Sequence, residues 1–320
     1  MTGGSMRVTV IGSINSDITI ATDSLVKPNE TIVGQSDYIL SQGGKGANQA
    51  VAAAAAGATV AMVACVGDDS FGESAIADLK KSGVDCSHVR TIAGASTGMA
   101  AVLVDKAGNN MITVAPGANG RLGVDDIHAA EALIRASDIV LLQLEIPTAA
   151  VEAAMRVARA AGVRVILNPA PAPAGLPGWL DQVDILVPNQ HEAAALGGAA
   201  AGSSAEAAAE RLITAGVGTV VVTLGGDGCL LAQAGRQRHI APYAVDVVDT
   251  TGAGDTFCGF LAAGLAAGED IGDAVETANA AAAISVTRAR ARESVPGAAD
   301  VAQFRAQHRR AADSLRKARA

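Results

Sequence analysis

Aromatic side chains are scarce in this chain of 320 residues: one Trp, two Tyr and four Phe. With so few rings to stack on bases, and a formal net charge of −8 where a basic face would be needed, no nucleic-acid partner is expected. Cysteine pairs are missing as well. Cys65, Cys86, Cys229 and Cys258 are scattered, with no C-x-x-C and no clustered His, which argues against a zinc site and for small buried side chains in a reducing compartment. A long apolar span is lacking too. The charge-free stretch Gly46 to Gly67 is mostly Ala, carries Asn48 and Gln49, and is broken at Gly57, so it divides into a helix, Asn48 to Ala56, and a strand, Thr59 to Val66. No membrane partner is expected. The apolar run after Arg7 is short and meets Asp17, unlike a signal peptide, which makes the cytoplasm the expected location.

What is present is apolar and periodic. Half of the residues are apolar, enough for a sizeable core. The β-branched runs "RVTVIGSI", "TVAMVACVG", "DIVLLQLE", "VRVILNPAP", "DILVPN" and "TVVVTLGG" alternate with Ala-rich helical stretches such as "SFGESAIADLKKSG", "DDIHAAEALIRAS", "PTAAVEAAMRVARAAG" and "SSAEAAAERLITAG". This alternation predicts an α/β fold with a doubly wound, mostly parallel central sheet flanked by helices. Two polar, alternating segments depart from it, about 17–41 and 96–119, the second with a hairpin signal in "DKAGNN". They are read as a small β-sheet lid on a single domain, 6–310, and the chain beyond about Asp300 as a basic surface helix.

Ligands of open α/β sheets bind beyond the carboxyl ends of the strands. Asn15 and Asp17 follow the first such run, Glu145 the third, Asn168 the fourth, and Asn189 and Glu192 the fifth. Each alone could cap a helix or turn; their shared position points to a binding rim. "QGGKGANQA" is neither a dinucleotide fingerprint, since no opening strand precedes it, nor a Walker A loop, since Gly46 follows Lys45 where Ser or Thr should stand. Lys45 within a glycine turn suggests a small polar ligand held close to backbone. In "DTTGAGDTF", Gly252, Ala253 and Gly254 present successive N–H groups at a helix start, a concavity for an oxyanion or phosphate. Asp255 then suits a base that takes a proton from a hydroxyl attacking phosphorus. A favourable helix-dipole charge is the plainer alternative for Asp255.

With these motifs in order, "GSINSD", "GGKGANQA", "QLE", "PNQHE", "VTLGGDG", "DTTGAGDTF" and "ANAAAAISVTR", the chain resembles the ribokinase-type family of carbohydrate kinases over nearly its whole length. "GSINSD" paired with "GGKGANQA" resembles the members acting on ribose more than those acting on fructose, adenosine or ketodeoxygluconate. The resemblance implies transfer of a phosphoryl group from MgATP to the 5-hydroxyl of D-ribose, with Asp255 as base and Gly252 to Gly254 as anion hole. It implies that Asn15, Asp17, Gly43, Gly44, Lys45, Asn48 and Glu145 bind the sugar, with Asp255. Asn189, Thr223, Gly225, Gly228, Gly254 and Asn279 would bind the nucleotide, and Glu192 would organise magnesium through water. It further implies a homodimer joined through the lids, and a potassium ion held by Asp249, Thr251, Ser285, Arg288, Arg290 and Ser294. Arg290 stands where relatives carry glycine. It matters if its backbone needs φ > 0, or if its guanidinium replaces the cation; a modest backbone adjustment is the expectation. Two other readings remain: a kinase of another sugar or nucleoside, and a sugar-binding regulatory protein without turnover, against which the intact Asp255 turn speaks.

Overall fold

Strand residues that are apolar on both sides of the chain must be covered on both sheet faces, and the computed structural model, which describes residues 6–173, 175–197 and 203–319, covers them with two layers of helices. The chain begins with β1 (Arg7–Ile11), then β2 (Asn15–Thr22), β3 (Ile39–Gly43), α1 (Lys45–Ala55), β4 (Thr59–Gly67), α2 (Ser70–Lys81) and β5 (Val84–Ile92). It continues through β6 (Gly98–Asp105), β7 (Asn110–Ala115), α3 (Val124–Ala129), α4 (Glu131–Arg135), β8 (Ile139–Leu142), α5 (Thr148–Ala160), β9 (Arg164–Leu167) and β10 (Ile185–Leu186). The last elements are α6 (Gln190–Leu196), α7 (Ala205–Thr214), β11 (Thr219–Thr223), β12 (Cys229–Gln233), β13 (Arg236–Ile240), α8 (Ala253–Ala266), α9 (Ile271–Ser285) and α10 (Ala298–Arg319). Side chains of α10 from 310 on lie outside the described residues.

Nine strands form the main sheet in the order β13-β12-β11-β10-β9-β8-β1-β4-β5. All pairings are parallel except β11 with β12 and β12 with β13. Alternate residues go to opposite faces: Ile139 and Leu141 pack under α1, α8 and α9, whereas Val140 and Leu142 pack with α5 and α7. The six expected runs are all strands of this sheet, and β5, β12 and β13 are additional to them. The stretch "DDIHAAEALIRAS" is two helices, divided at Ala130, whose N–H is shared between Asp126 O and Ile127 O, each at 3.1 Å. The first glycine helix starts at Lys45, three residues before the expected Asn48.

The small sheet has the order β3-β2-β6-β7. Its β6–β7 hairpin turns at Asp105–Asn109, where the Asp105 N–H donates to Asn109 O at 2.9 Å. Two of its strands are rooted among the rim residues: β2 begins at Asn15 and β3 ends at Gly43, and these two residues pair across the sheet. Helix α8 is apolar all round and almost wholly buried, so it runs through the core rather than over it. It comes so close to α1 that a Cβ on Gly259 would lie 2.5 Å from the Ala52 Cβ. That approach brings Asn48 and Gln49 of α1 to the start of α8. Among the described residues, no helix is long and apolar enough to cross a membrane, and all four cysteines are buried and unpaired.

Candidate active site

β1 lies between β4 and β8, so the chain crosses over to opposite sides of it, and the crevice at the carboxyl end of β1 is where an α/β sheet opens. Rim residues meet there. Ser13 Oγ, just past β1, donates to Glu145 Oε2 at 2.5 Å, and the Lys45 N–H donates to the same oxygen at 3.2 Å. Asn15 Oδ1 accepts from Asn119 Nδ2 at 2.7 Å, while Asn119 Oδ1 accepts the Ile14 N–H at 2.9 Å, which fixes the Asn15 amide from behind. Gly43 lies flat against the Asp17 carboxylate, where any Cβ would collide with it.

Asp255, in the first turn of α8, is 8% exposed and has one side-chain donor on each carboxylate oxygen. Asn48 Nδ2 reaches its Oδ2 at 3.0 Å, and Gln49 Nε2 reaches its Oδ1 at 3.0 Å. Gln49 is held in turn by Gln143 Nε2, which donates to Gln49 Oε1 at 2.5 Å, and by Asn168 Oδ1, which accepts from Gln49 Nε2 at 3.1 Å. Burial pushes the Asp255 carboxyl above the usual carboxylate range, against the opposing pull of Lys45, Asn48 and Gln49. The turn before it needs glycine. Gly252 has φ 76°, and a Cβ there would lie 2.8 Å from the Ala291 Cβ. The Ala253 N–H is turned to Thr250 O at 3.3 Å, a correction to the expectation of three free successive donors. Gly254, in the first turn, has no helical carbonyl behind it to accept its N–H.

Charges alternate across the crevice. Burial and then the neighbouring Glu145 push Asp17 up to about 6, with Arg292 opposing, and Asp17 Oδ1 is buried without a hydrogen-bond partner among the described residues. Burial works against the Lys45 ammonium, but Asp255, Glu145 and Glu192 together hold it above the ordinary lysine range. Lys45 is thus a fixed cation among three carboxylates.

The nucleotide set of the sequence analysis is brought together on the other side of α8. Asn189, Thr223, Gly225, Gly228, Gly254 and Asn279 all line one cavity of about 720 Å³, walled further by Tyr243, Val247 and Phe257. Its volume suits a nucleotide. Tyr243 is braced by α10, with Phe304 and His308 rings each centred 5.1 Å away. Asn189 and Glu192 form a capping box on α6: Asn189 Oδ1 accepts the Glu192 N–H at 2.8 Å and Glu192 Oε2 accepts the Asn189 N–H at 2.9 Å.

The loop after α9 closes over the turn. Asp249 Oδ1 accepts from the Thr251 N–H at 2.9 Å and Thr251 Oγ1 at 2.7 Å, and its Oδ2 accepts the Arg290 N–H at 2.8 Å. Arg290 has φ 72°, so the expected backbone adjustment does not occur. Its N–H bond to Asp249 holds the left-handed conformation, at a cost of about 1 kcal/mol for a residue with a Cβ. The Arg290 guanidinium faces Glu293 at 3.4 Å, not Asp249. Ser285 O accepts the Arg288 N–H at 3.0 Å, and Arg288 Nη1 reaches Ser294 O at 3.5 Å. Gln49, Gln143, Asn119 and Arg292 belong to the site as well, although the motifs do not single them out. The two glutamines sit inside quoted motifs, and Asn119 ends a quoted segment, but Arg292 carries no local signal.

A carboxylate at a helix start, placed between a crevice of polar side chains and a nucleotide-sized cavity, defines an α/β kinase of small hydroxyl-bearing molecules. Residues 5–298 match the family described as pfkB family carbohydrate kinase, and the chain belongs to that family. It is 42% identical to the ribokinase of Haemophilus influenzae over 299 residues, covering 93% of this chain and 97% of the relative. It is 38% identical to the ribokinase of Schizosaccharomyces pombe, covering 92% and 96%. Among solved structures, the ribokinase of Arabidopsis thaliana, complexed with ribose and ATP, is similar with a TM-score of 0.85 at 32% identity, covering 93% of this chain and 98% of that one.

Proposed function

We propose that this chain phosphorylates D-ribose at its 5-hydroxyl, using MgATP, and that residues 6–310 work as one unit carrying the small sheet as a lid. The observation that carries the reading is the position of Asp255, which touches Asn48 on the sugar side while its own helix start, Ala253 and Gly254, lines the nucleotide cavity. Asp255 takes the proton of the attacking hydroxyl as the oxygen bonds to the γ-phosphorus and the bond to ADP breaks. In the turn from Gly252 to Gly254, the Gly254 N–H, which has no helical acceptor, steadies the charge developing on the transferred group. Asn15, Asp17, Gly43, Gly44, Lys45, Asn48 and Glu145 hold the sugar, since telling one polyol from another requires buried donors and acceptors matched to each hydroxyl. A release assay for ADP over a panel of pentoses, hexoses and nucleosides tests the substrate. D-ribose is expected to give the highest kcat/KM; a higher value for another acceptor would reassign it.

Magnesium enters with ATP, and a carboxylate such as Glu192, capped on α6, is the hard oxygen donor that suits its water shell. Potassium is proposed at the Asp249 carboxylate and the oxygens of Thr251, Ser285, Arg288, Arg290 and Ser294. Burial opposes ionisation of Asp249, but the bonds from Thr251 and Arg290 hold its carboxyl below the usual range, so it offers a full negative charge. Among the described residues no ion pair to Asp249 is found, the Arg290 guanidinium being engaged by Glu293, and a bound alkali ion would keep the Asp249 charge from repelling phosphate. Potassium is therefore expected to raise kcat over sodium at equal ionic strength, and Asp249→Ala to abolish the difference. Equal rates in the two salts would refute the site.

The small sheet exposes apolar side chains on both faces, Ile39, Ile112 and Val114 on the side that carries Asp17 and Leu40 and Met111 on the other, and this supports pairing with the same sheet of a second copy. Light scattering at micromolar concentration is expected to report a dimer. A fully active monomer would refute the pairing.

A further inference from the structure

Three consecutive residues of the loop after α9 touch three different parts of the site. Arg290 donates its N–H to Asp249, Ala291 lies against Gly252, and Arg292 reaches across to the opposite, sugar-facing side. The Arg292 guanidinium is deeply buried, with the residue 8% exposed, and each of its three nitrogens has a partner on a different element. Nε donates to Asn48 Oδ1 of α1 at 2.9 Å, Nη1 to Asp78 Oδ2 of α2 at 2.8 Å, and Nη2 to Gly43 O of β3 at 2.6 Å. A buried guanidinium is expensive unless its fork is satisfied, and this one is satisfied by two residues of the sugar crevice and one outside it.

The consequence for Asn48 is chemical. A guanidinium has donors only, so the atom of Asn48 facing Arg292 must be the carbonyl oxygen, and the amino group must face the other way, onto Asp255. Asp255 accepts on one side and Arg292 donates on the other, so without Arg292 the Asn48 carbonyl oxygen is left unpaired and the amide is free to turn away from Asp255. We propose that Arg292 is a positioning residue of the sugar site, setting the Asn48 amide toward Asp255 and anchoring the end of β3 at Gly43, the residue that lies against Asp17. It does so from the loop that also carries Arg290 and Ser294. The inference rests on the crevice being the sugar site of a kinase.

The experiment compares Arg292→Gln and Arg292→Lys with the unmodified enzyme in steady-state kinetics, varying sugar and ATP separately. Arg292→Gln is expected to raise the KM for ribose about tenfold or more, with the KM for ATP changed less than about twofold. Arg292→Lys should fail to rescue it, because one ammonium has no planar fork to meet partners on α1, α2 and β3 together. Equal changes in both KM values, or full rescue by lysine, would overturn the assignment. Should both variants fold poorly, Asp78→Asn loosens the fork from outside the crevice and is expected to raise the ribose KM alone, by less; an unchanged ribose KM would then overturn it. Calorimetric titration with ribose reads the same difference without turnover. If the unmodified enzyme released no ADP with any acceptor, the kinase reading would fail, while weakened ribose binding by Arg292→Gln would still support Arg292 and unaltered binding would overturn it.

Discussion

Asp255→Asn is expected to lower kcat by about 10²- to 10⁴-fold while leaving the affinities for ribose and ATP nearly unchanged. Asn is nearly isosteric, and the donors that hold Asp255, Asn48 Nδ2 and Gln49 Nε2, can meet only one amide oxygen, so one of the two contacts is lost along with the base. Burial makes Asp255 a stronger base than an exposed carboxylate, because the charged form has no water to stabilise it. The fourfold relay of Asn48, Gln49, Gln143 and Asn168 points the carboxylate without neutralising it. Single-turnover rates on saturating ribose and MgATP read the chemical step directly. A variant turning over within a few-fold of the parent would remove Asp255 from the mechanism.

The second large effect belongs to Asp17. Its truncation to Ala leaves the sugar hydroxyls it would accept unpaired in a closed site, and kcat/KM for ribose should fall by about 2 to 4 kcal/mol, or roughly 30- to 1000-fold, with the KM for ATP spared. A pH signature accompanies it. With its carboxyl pushed up to about 6, Asp17 in the free enzyme takes a proton as pH falls through that value and loses acceptor capacity, so kcat/KM for ribose falls on the acid side of about pH 6. Hydroxyls bound to the carboxylate favour the ionised form, so the acid limb of kcat lies lower. The same shift acts on folding. Because the folded state binds this proton more tightly than the unfolded chain, stability falls as pH rises from about 4 through about 6, and the ionised group costs on the order of 3 kcal/mol above that window. Asp17→Asn should therefore melt higher than the parent at pH 8 and no higher at pH 4. A melting temperature that does not respond to pH in this way would contradict the buried charge.

Legibility in the sequence followed burial. β1, β4, β8, β9, β10 and β11 read as continuous apolar runs because helices cover both of their faces. β5, "VDCSHVRTI", is an edge strand with polar residues between its buried ones, and β13, "RQRHI", is exposed at all but its last position; neither carries a hydrophobic run. The division at Ala130 left no trace in the sequence, since alanine is the best helix former and only the shared Ala130 N–H marks the break. In the site, motif residues could be read because their spacing is local: Asp255 follows its own turn, and Lys45 sits within its own glycines. Arg292 could not. It meets Asn48 across 244 residues of sequence, and a basic residue among "RARAR" looks like solvated surface until the fold buries it.

The two sheets meet water in opposite ways. The main sheet ends on β5, with Asp85, His88 and Arg90, and on β13, with Arg236, Arg238 and His239, and charged borders of this kind discourage a stray strand from adding on. The small sheet has no such guard: β7 is exposed at every position and carries Met111, Ile112 and Val114. Exposed large apolar side chains are thus concentrated on the small sheet, with Leu176, Val247 and Val248 exposed elsewhere. Subunits separated by dilution should therefore find each other again through this sheet rather than through the edges of the main one, and a lysine introduced at Ile112 is expected to leave the protein monomeric, whereas charges added along β5 or β13 should leave its assembly unchanged.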